Sequence, residues 1–216
     1  MNKKHDVVLF DLDGTLIDTS RGIFNSVRYA ESRLKLPPVS EAELKKFVGP
    51  PPLEMYQKVY DISRERAMEA LVYHRTYGRE KAIFEAKVYP GIEAGLRRLK
   101  QRGKTLGVVT LKAEDSAQTI LTYYDIANYF SKIVGMNQDE NLTKADLIEV
   151  IIRFLGVEKK RVVLVGDSIY DFEGAIRAGI DFVPVLYGFG LFSRTDLKRK
   201  EVIDIIRNPF EIGQIN

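Results

Sequence analysis

Residues 10–16 read Phe10-Asp11-Leu12-Asp13-Gly14-Thr15-Leu16 and follow directly on the apolar run Val7-Val8-Leu9. A short stretch of large and β-branched apolar residues suits a strand buried on both faces. Residues two apart in an extended chain project to the same side, so Asp11 and Asp13 are expected to face one small site. Gly14 lets the backbone turn sharply and come close to a ligand. Two carboxylates at that distance repel unless a proton or a cation lies between them. On its own, Asp13-Gly14 also fits an ordinary turn at a strand exit.

The same arrangement recurs downstream. Val162-Val163-Leu164-Val165 leads into Gly166-Asp167-Ser168-Ile169-Tyr170-Asp171, which puts Asp167 at a strand end and Asp171 in the first turn of the following helix. Hard oxygen ligands placed there suit Mg²⁺, which takes one or two carboxylates and keeps several waters. They equally suit a helix start, with Asp167 or Ser168 as cap and Asp171 complementing the dipole. Two further polar residues take comparable places: Thr110 closes the strand before it, and Lys144 opens the helix after the strand near Ile133. In open α/β sheets ligands bind beyond the carboxyl ends of the strands. All four elements fall there, and together they supply a nucleophile, a second acid, a hydroxyl, a cation and a metal site, the inventory of phosphoryl transfer.

The chain outside these points alternates short apolar runs with amphipathic stretches, the pattern of a parallel sheet covered by helices. Strands are expected over residues 7–10, 105–109, 132–135, 161–165 and 182–186, and helices over 114–124, 144–155, 171–178 and 196–206. Between Leu16 and Lys87 no strand is expected. Helical periodicity there covers 20–34, 40–47, 52–60 and 63–83, punctuated by Pro37-Pro38, Pro50-Pro51-Pro52 and Pro90-Gly91. Ser40 and Ser63 are N-cap candidates, and Ser40 with Glu43 makes a capping box. The reading is a Rossmann-like α/β core, residues 1–16 and 88–216, with a helical block, residues 17–87, inserted after the first strand.

Composition narrows the remaining classes. With 45% hydrophobic and 29% charged residues the chain is ordinary for a globular protein, so disorder and collagen-like repeats are excluded. Its apolar runs are too short to span a bilayer. No signal peptide is visible and there is no cysteine, which favours the cytoplasm and excludes disulfides and thiolate metal sites. The formal charge of +3 comes partly from Lys198-Arg199-Lys200 and from Arg97 to Lys104. No basic stripe interleaves with aromatics, so neither nucleic acid nor a membrane is an expected partner.

On these residues the chain resembles the haloacid dehalogenase superfamily of phosphohydrolases. That family's Asp-x-Asp-Gly-Thr motif is met by Asp11, Asp13, Gly14 and Thr15. Its second motif falls on Thr110, with Leu111-Lys112 where members often have Asn-Lys. Its third falls on Lys144, with Ala145 where proline is common, and its fourth on Gly166, Asp167 and Asp171. The inserted block resembles a C1-type cap of the phosphoglycolate-phosphatase-like branch: Val48-Gly49-Pro50-Pro51 echoes its Gly-Pro-Pro-Leu turn, and Arg75-Thr76-Tyr77 with Val88-Tyr89-Pro90-Gly91 echoes its Arg-x-Tyr helix and return to the core.

The resemblance implies a phosphatase acting on a small phosphorylated metabolite, working as monomer or homodimer. Asp11 is the implied nucleophile and Asp13 the acid and base. Mg²⁺ is implied between Asp11, the Asp13 carbonyl and Asp167. Gly14, Thr110, Leu111 and Lys144 are expected around the phosphate, Arg75 at the substrate, and Ser168 and Asp171 in support. A phosphomutase of the same fold is the nearest rival. A dehalogenase needs neither Asp13 nor a metal, a receiver module needs no second acid and no cap, and a non-catalytic binding protein would not need Asp11 and Asp13 together.

Overall fold

The apolar run before Asp11 forms the central strand β1 (Val7–Phe10) of the computed structural model, which describes residues 5–139, 141–190 and 202–215. All four of its side chains are buried. Two short strands, β2 (Ile17–Asp18) and β3 (Lys87–Val88), pair with each other, and four more complete the main sheet: β4 (Thr105–Ala113), β5 (Lys132–Met136), β6 (Val162–Gly166) and β7 (Asp181–Pro184). The order is β5-β4-β1-β6-β7, every pair parallel. The fold is therefore the parallel α/β class read from the sequence.

Strand alternation sorts the apolar side chains into two layers. Val8, Phe10, Val108 and Val165 pack with Leu96, Leu99 and Leu121 of α5 (Ile92–Gln101) and α6 (Glu114–Tyr123). Val7, Leu9 and Leu164 pack with Leu147, Ile151 and Phe172 of α7 (Lys144–Leu155) and α8 (Ile169–Ala178). Each such side chain contributes roughly 1.5–3 kcal/mol on burial, and the two layers hold the strands in one register. Asp11 continues the parity of Val7 and Leu9, so it faces the α7–α8 side.

The inserted block consists of α1 (Ser20–Leu34), α2 (Glu41–Lys45), α3 (Pro52–Tyr60) and α4 (Arg64–Glu80). These helices bury a cluster of their own, including Val27, Phe47, Leu53, Tyr56 and Leu71. A 3₁₀ turn at Ala82–Glu85 follows. The antiparallel β2–β3 pair then ties the outgoing chain to the returning one.

Several expectations need correction. The β2–β3 pair lies in the stretch where no strand was expected; with two residues on each side it leaves no periodic signal. Helix α5 was not anticipated, although Ile92, Leu96 and Leu99 form its apolar stripe. Helix α4 ends at Glu80 rather than residue 83, because Lys81 leaves the helical region. Ser40 does accept from the Glu43 N–H, but the Glu43 carboxylate pairs with Lys46 instead of returning to the cap, so no capping box forms there. Strand β4 does not stop at Val109: it runs on to Ala113 through an irregularity between those residues, so Thr110 lies within it. Strand β7 stops at Pro184, not at residue 186. The helix expected over 196–206 falls mostly outside the described residues, and its end is extended: Val202 bridges Phe182 and Ile206 bridges Val185.

Candidate active site

The carboxyl ends of β1, β4 and β6 and the N-termini of α7 and α8 meet at one point. Asp11 stands there, buried, one residue past β1, its N–H bonded to Val165 O at 2.9 Å. Lys144, the first residue of α7, is buried beside it. Its Nζ donates to Asp11 Oδ1 at 2.6 Å and to Val109 O at 2.7 Å, and it lies 2.7 Å from Asp171 Oδ1. Burial favours a neutral amine, but the Asp11 and Asp171 charges override it and hold the lysine's pKa above its ordinary value.

Two capping boxes fix this corner. Thr143 and Asp146 exchange bonds at the start of α7, and Ser168 and Asp171 do so at the start of α8. Asp171 Oδ2 accepts from Ser168 N at 3.0 Å and from Ser168 Oγ at 2.7 Å, while Oδ1 faces Lys144. Among the described residues Asp171 Oδ1 has no hydrogen-bond partner and rests on its ion pair with Lys144 alone. Asp167 is different. Its Oδ2 accepts from the N–H groups of Phe189 at 2.7 Å and Gly190 at 3.0 Å, while Oδ1 is buried without a hydrogen-bond partner. The 187–190 loop presses onto Asp167 so tightly that a Cβ on Gly190 would lie 2.6 Å from the Asp167 carbonyl carbon.

One oxygen each from Asp11, Asp167 and Asp171 falls within 4.8 Å of the others. Burial, opposed by Lys144 and reinforced by Asp171, Asp167 and Asp13, pushes the Asp11 pKa well up. Burial and then Asp171 push Asp167 to about 7, against the pull of the Gly190 and Phe189 N–H groups and Lys144. Three buried acids share one lysine, and among the described residues Asp167 Oδ1 has neither a hydrogen bond nor an ion pair: this is a donor set that a hard divalent cation would satisfy. The residues fit such an ion.

Asp13 does not join that trio. Its Oδ1 accepts from Thr19 Oγ1 at 2.6 Å, and Lys112 Nζ lies 3.2 Å from each of its oxygens. The two acids read as facing one site thus hold two different cations, Lys144 for Asp11 and Lys112 for Asp13. Gly14, between them, has φ +84° and sits against Asp167: a Cβ there would be 2.7 Å from Asp167 Cγ. Thr110 is buried, and its hydroxyl accepts from Lys112 N at 3.2 Å.

Beyond Asp13 a cavity of about 70 Å³ opens between the helical block and the sheet, lined among others by Phe47, Leu71, His74, Arg75, Leu111 and Lys112. Leu111 and Arg75 stand on its wall, Leu111 also lines a second cavity together with Lys144, and Arg75 Nη1 reaches Gln138 O at 3.4 Å. Sequence reasoning gave Lys112 no role beyond its place in the second motif, and passed over Thr19, His74 and the 187–190 loop. The Gly188-x-Gly190 pair after a strand was the available signal for the loop. Lys112 had only its place two residues past Thr110, and Thr19 and His74 had none.

The chain is similar to known proteins along most of its length. Residues 8–185 match the family model described as haloacid dehalogenase-like hydrolase. A 5'-nucleotidase of Pseudomonas aeruginosa is 36% identical over 184 residues, covering 85% of this chain and 83% of that protein. A phosphoglycolate phosphatase of Shigella dysenteriae is 30% identical over 236 residues, with 94% and 90% covered. The crystal structure of a predicted phosphatase from Clostridium acetobutylicum superposes with a TM-score of 0.90 at 37% identity, covering 98% of this chain and 97% of that one. The chain belongs to the haloacid dehalogenase-like hydrolase family.

Proposed function

We propose that the protein hydrolyses small phosphate monoesters with Mg²⁺ through a phosphorylated Asp11. The observation that carries this reading is the state of the Asp11 carboxylate. Lys144 takes Oδ1, whereas Oδ2 bonds no described residue and is the oxygen free to attack phosphorus. Asp11 and Asp167 would hold the cation, with Asp171 adding charge beside them; when bound, the ion neutralises the acid cluster so that an anionic ester can approach it.

The remaining steps belong to this chain's own side chains. Lys144 keeps Asp11 Oδ1 in place and offers its charge to the transferring oxygens. Asp171, fixed by the Ser168 cap, holds Lys144 from the other side. The Thr110 hydroxyl adds a donor at the phosphate. Asp13, on the cavity side, protonates the departing alkoxide at Oδ2 and then takes a proton from the water that hydrolyses the acyl phosphate, a contribution typically worth ~10²–10⁴-fold. Thr19 and Lys112 orient that carboxylate. The helical block closes over the leaving group and excludes bulk water.

The similarity to a 5'-nucleotidase and to a phosphoglycolate phosphatase supports a small phosphorylated metabolite as substrate. The test is a phosphate-release screen over phosphoglycolate, nucleoside monophosphates, sugar phosphates and pyrophosphate, with and without chelator. Turnover of at least one ester, abolished by chelator and restored by Mg²⁺, is expected. Full activity in excess chelator contradicts the metal, and no release from any ester contradicts the phosphatase reading.

A further inference from the structure

We infer that His74 selects the substrate: its Nε2–H donates to an oxygen carried by the leaving alcohol, so the preferred ester has a compact alcohol bearing an acceptor oxygen. This deepens the phosphatase reading and rests on it.

His74 sits on α4, 9% exposed, and lines the cavity beyond Asp13 together with Lys112 and Arg75. Its Nδ1 lies 3.2 Å from the hydroxyl of Tyr56, whose ring meets the imidazole edge-on at 5.9 Å. Tyr56 is fully buried among Phe47 and Tyr60, and His74 is the hydrogen-bond partner of its hydroxyl among the described residues. That single contact fixes the tautomer. If Nδ1 carried the proton and donated to Tyr56, the tyrosine O–H would be left buried and unpaired, the costlier arrangement. The O–H therefore donates to Nδ1, and the imidazole proton sits on Nε2.

Nε2 bonds no described residue, yet it is not among the buried unpartnered atoms, so it has access to open space. The space that His74 lines is the cavity. Its pKa, pushed down to about 3 by burial and then by Lys112 and Arg75, keeps the ring neutral. Lys112 is already committed to Asp13. The cavity wall thus presents a neutral donor beside the charged Arg75 and Lys112, with apolar side chains such as Phe47, Leu71 and Ile120 around them. At about 70 Å³ the cavity has well under the volume of one that holds benzene, about 150 Å³. A short alcohol with one hydroxyl, carbonyl or carboxylate oxygen fits both the size and the donor. Tyr56 acts through His74, as a positioning residue.

The experiment measures kcat/KM for propyl phosphate and glycerol 1-phosphate in the full chain with Mg²⁺. The wild type should favour the hydroxylated ester by at least about tenfold, the scale for leaving one buried donor unpaired. His74→Asn keeps an amide near Tyr56 but lacks reach to the Nε2 position, and should bring the ratio close to one. His74→Gln restores an N–H near Nε2 and should recover part of the preference. Tyr56→Phe frees the tautomer and should lower the ratio through KM, with kcat little changed; a residue that only packs would not shift the ratio. Wild-type preference persisting in both His74 variants overturns the assignment alone. A wild type that hydrolyses both esters equally, or neither while releasing phosphate from another ester of the screen, also overturns it; release from no ester at all removes the phosphatase reading as well.

Discussion

Replacing Lys144 with methionine keeps the stem of the side chain as far as Cε and removes the one ammonium shared by two buried acids. That ammonium lies 2.6 Å from Asp11 Oδ1 and 2.7 Å from Asp171 Oδ1. Taken between charge centres about 4 Å apart at an effective dielectric of about 20, each pair is worth ~4 kcal/mol, or ~8 kcal/mol gross for two. The variant no longer has to desolvate the ammonium, which returns several kcal/mol, so the net loss expected at pH 8 is about 3–5 kcal/mol. The remaining acids would rather bind a proton than face each other. Their folded pKa values then rise further above the unfolded value near 3.9, so the folded variant holds a proton that its unfolded chain does not. Stability of the variant should therefore rise as pH falls, by about 1.4 kcal/mol per pH unit for each such proton. The assay is urea unfolding in chelator at pH 8 and pH 5. At a slope of about 2 kcal/mol per molar, the midpoint gap between the two proteins should be roughly 2 M at pH 8 and clearly smaller at pH 5. A variant as stable as wild type at pH 8, or a gap that does not narrow at pH 5, would refute the claim that Lys144 neutralises the buried acids.

Gly14→Ala combines a left-handed φ with a Cβ 2.7 Å from Asp167 Cγ, whereas Gly103→Ala has φ +76° and open space around the new Cβ. The first should cost clearly more than the ~1–2 kcal/mol of strain expected for the second, and should also abolish phosphate release; thermal melts and turnover separate the two. His74, held near a pKa of about 3 in the fold against 6.5 unfolded, takes up its proton only on unfolding. Its contribution is fully present above pH 6.5 and is lost at about 1.4 kcal/mol per pH unit as pH falls toward 3, so His74→Asn should flatten the stability profile over that window in denaturant titrations. Asp13→Asn should lower kcat/KM by ~10²–10⁴-fold on an alkyl ester. It should cost less on p-nitrophenyl phosphate, whose leaving group departs unprotonated, and quench experiments should then show phospho-enzyme accumulating.

The core of this account could be read in the sequence because its carriers are local. The strand before Asp11, the helix opening at Lys144 and the Gly166–Asp171 corner each announce themselves within a few residues, and α7 (Lys144–Leu155) has the bounds its periodicity gives. What the sequence hid is what distant segments decide. Asp13 meets Lys112 because β4 continues past Val109 through an irregularity, which nothing in Leu111-Lys112-Ala113 signals. His74 is defined by Tyr56, on another helix, and by the cavity wall. The error at the C-terminus has a plain cause: Val202 and Ile206 are four apart, a spacing that puts two residues on one side of a helix and of a strand alike, and here both bridge to the β7 segment.

The central claim is that Asp11 becomes phosphorylated. Rapid acid quench during steady turnover of an activated ester, followed by peptide mass analysis, should find the added phosphoryl group on the peptide holding Asp11, labile to hydroxylamine. The adduct should be absent in Asp11→Asn, which keeps the shape of the side chain and loses the nucleophile. A phosphoryl group on any other residue, or undiminished turnover in Asp11→Asn, would contradict it.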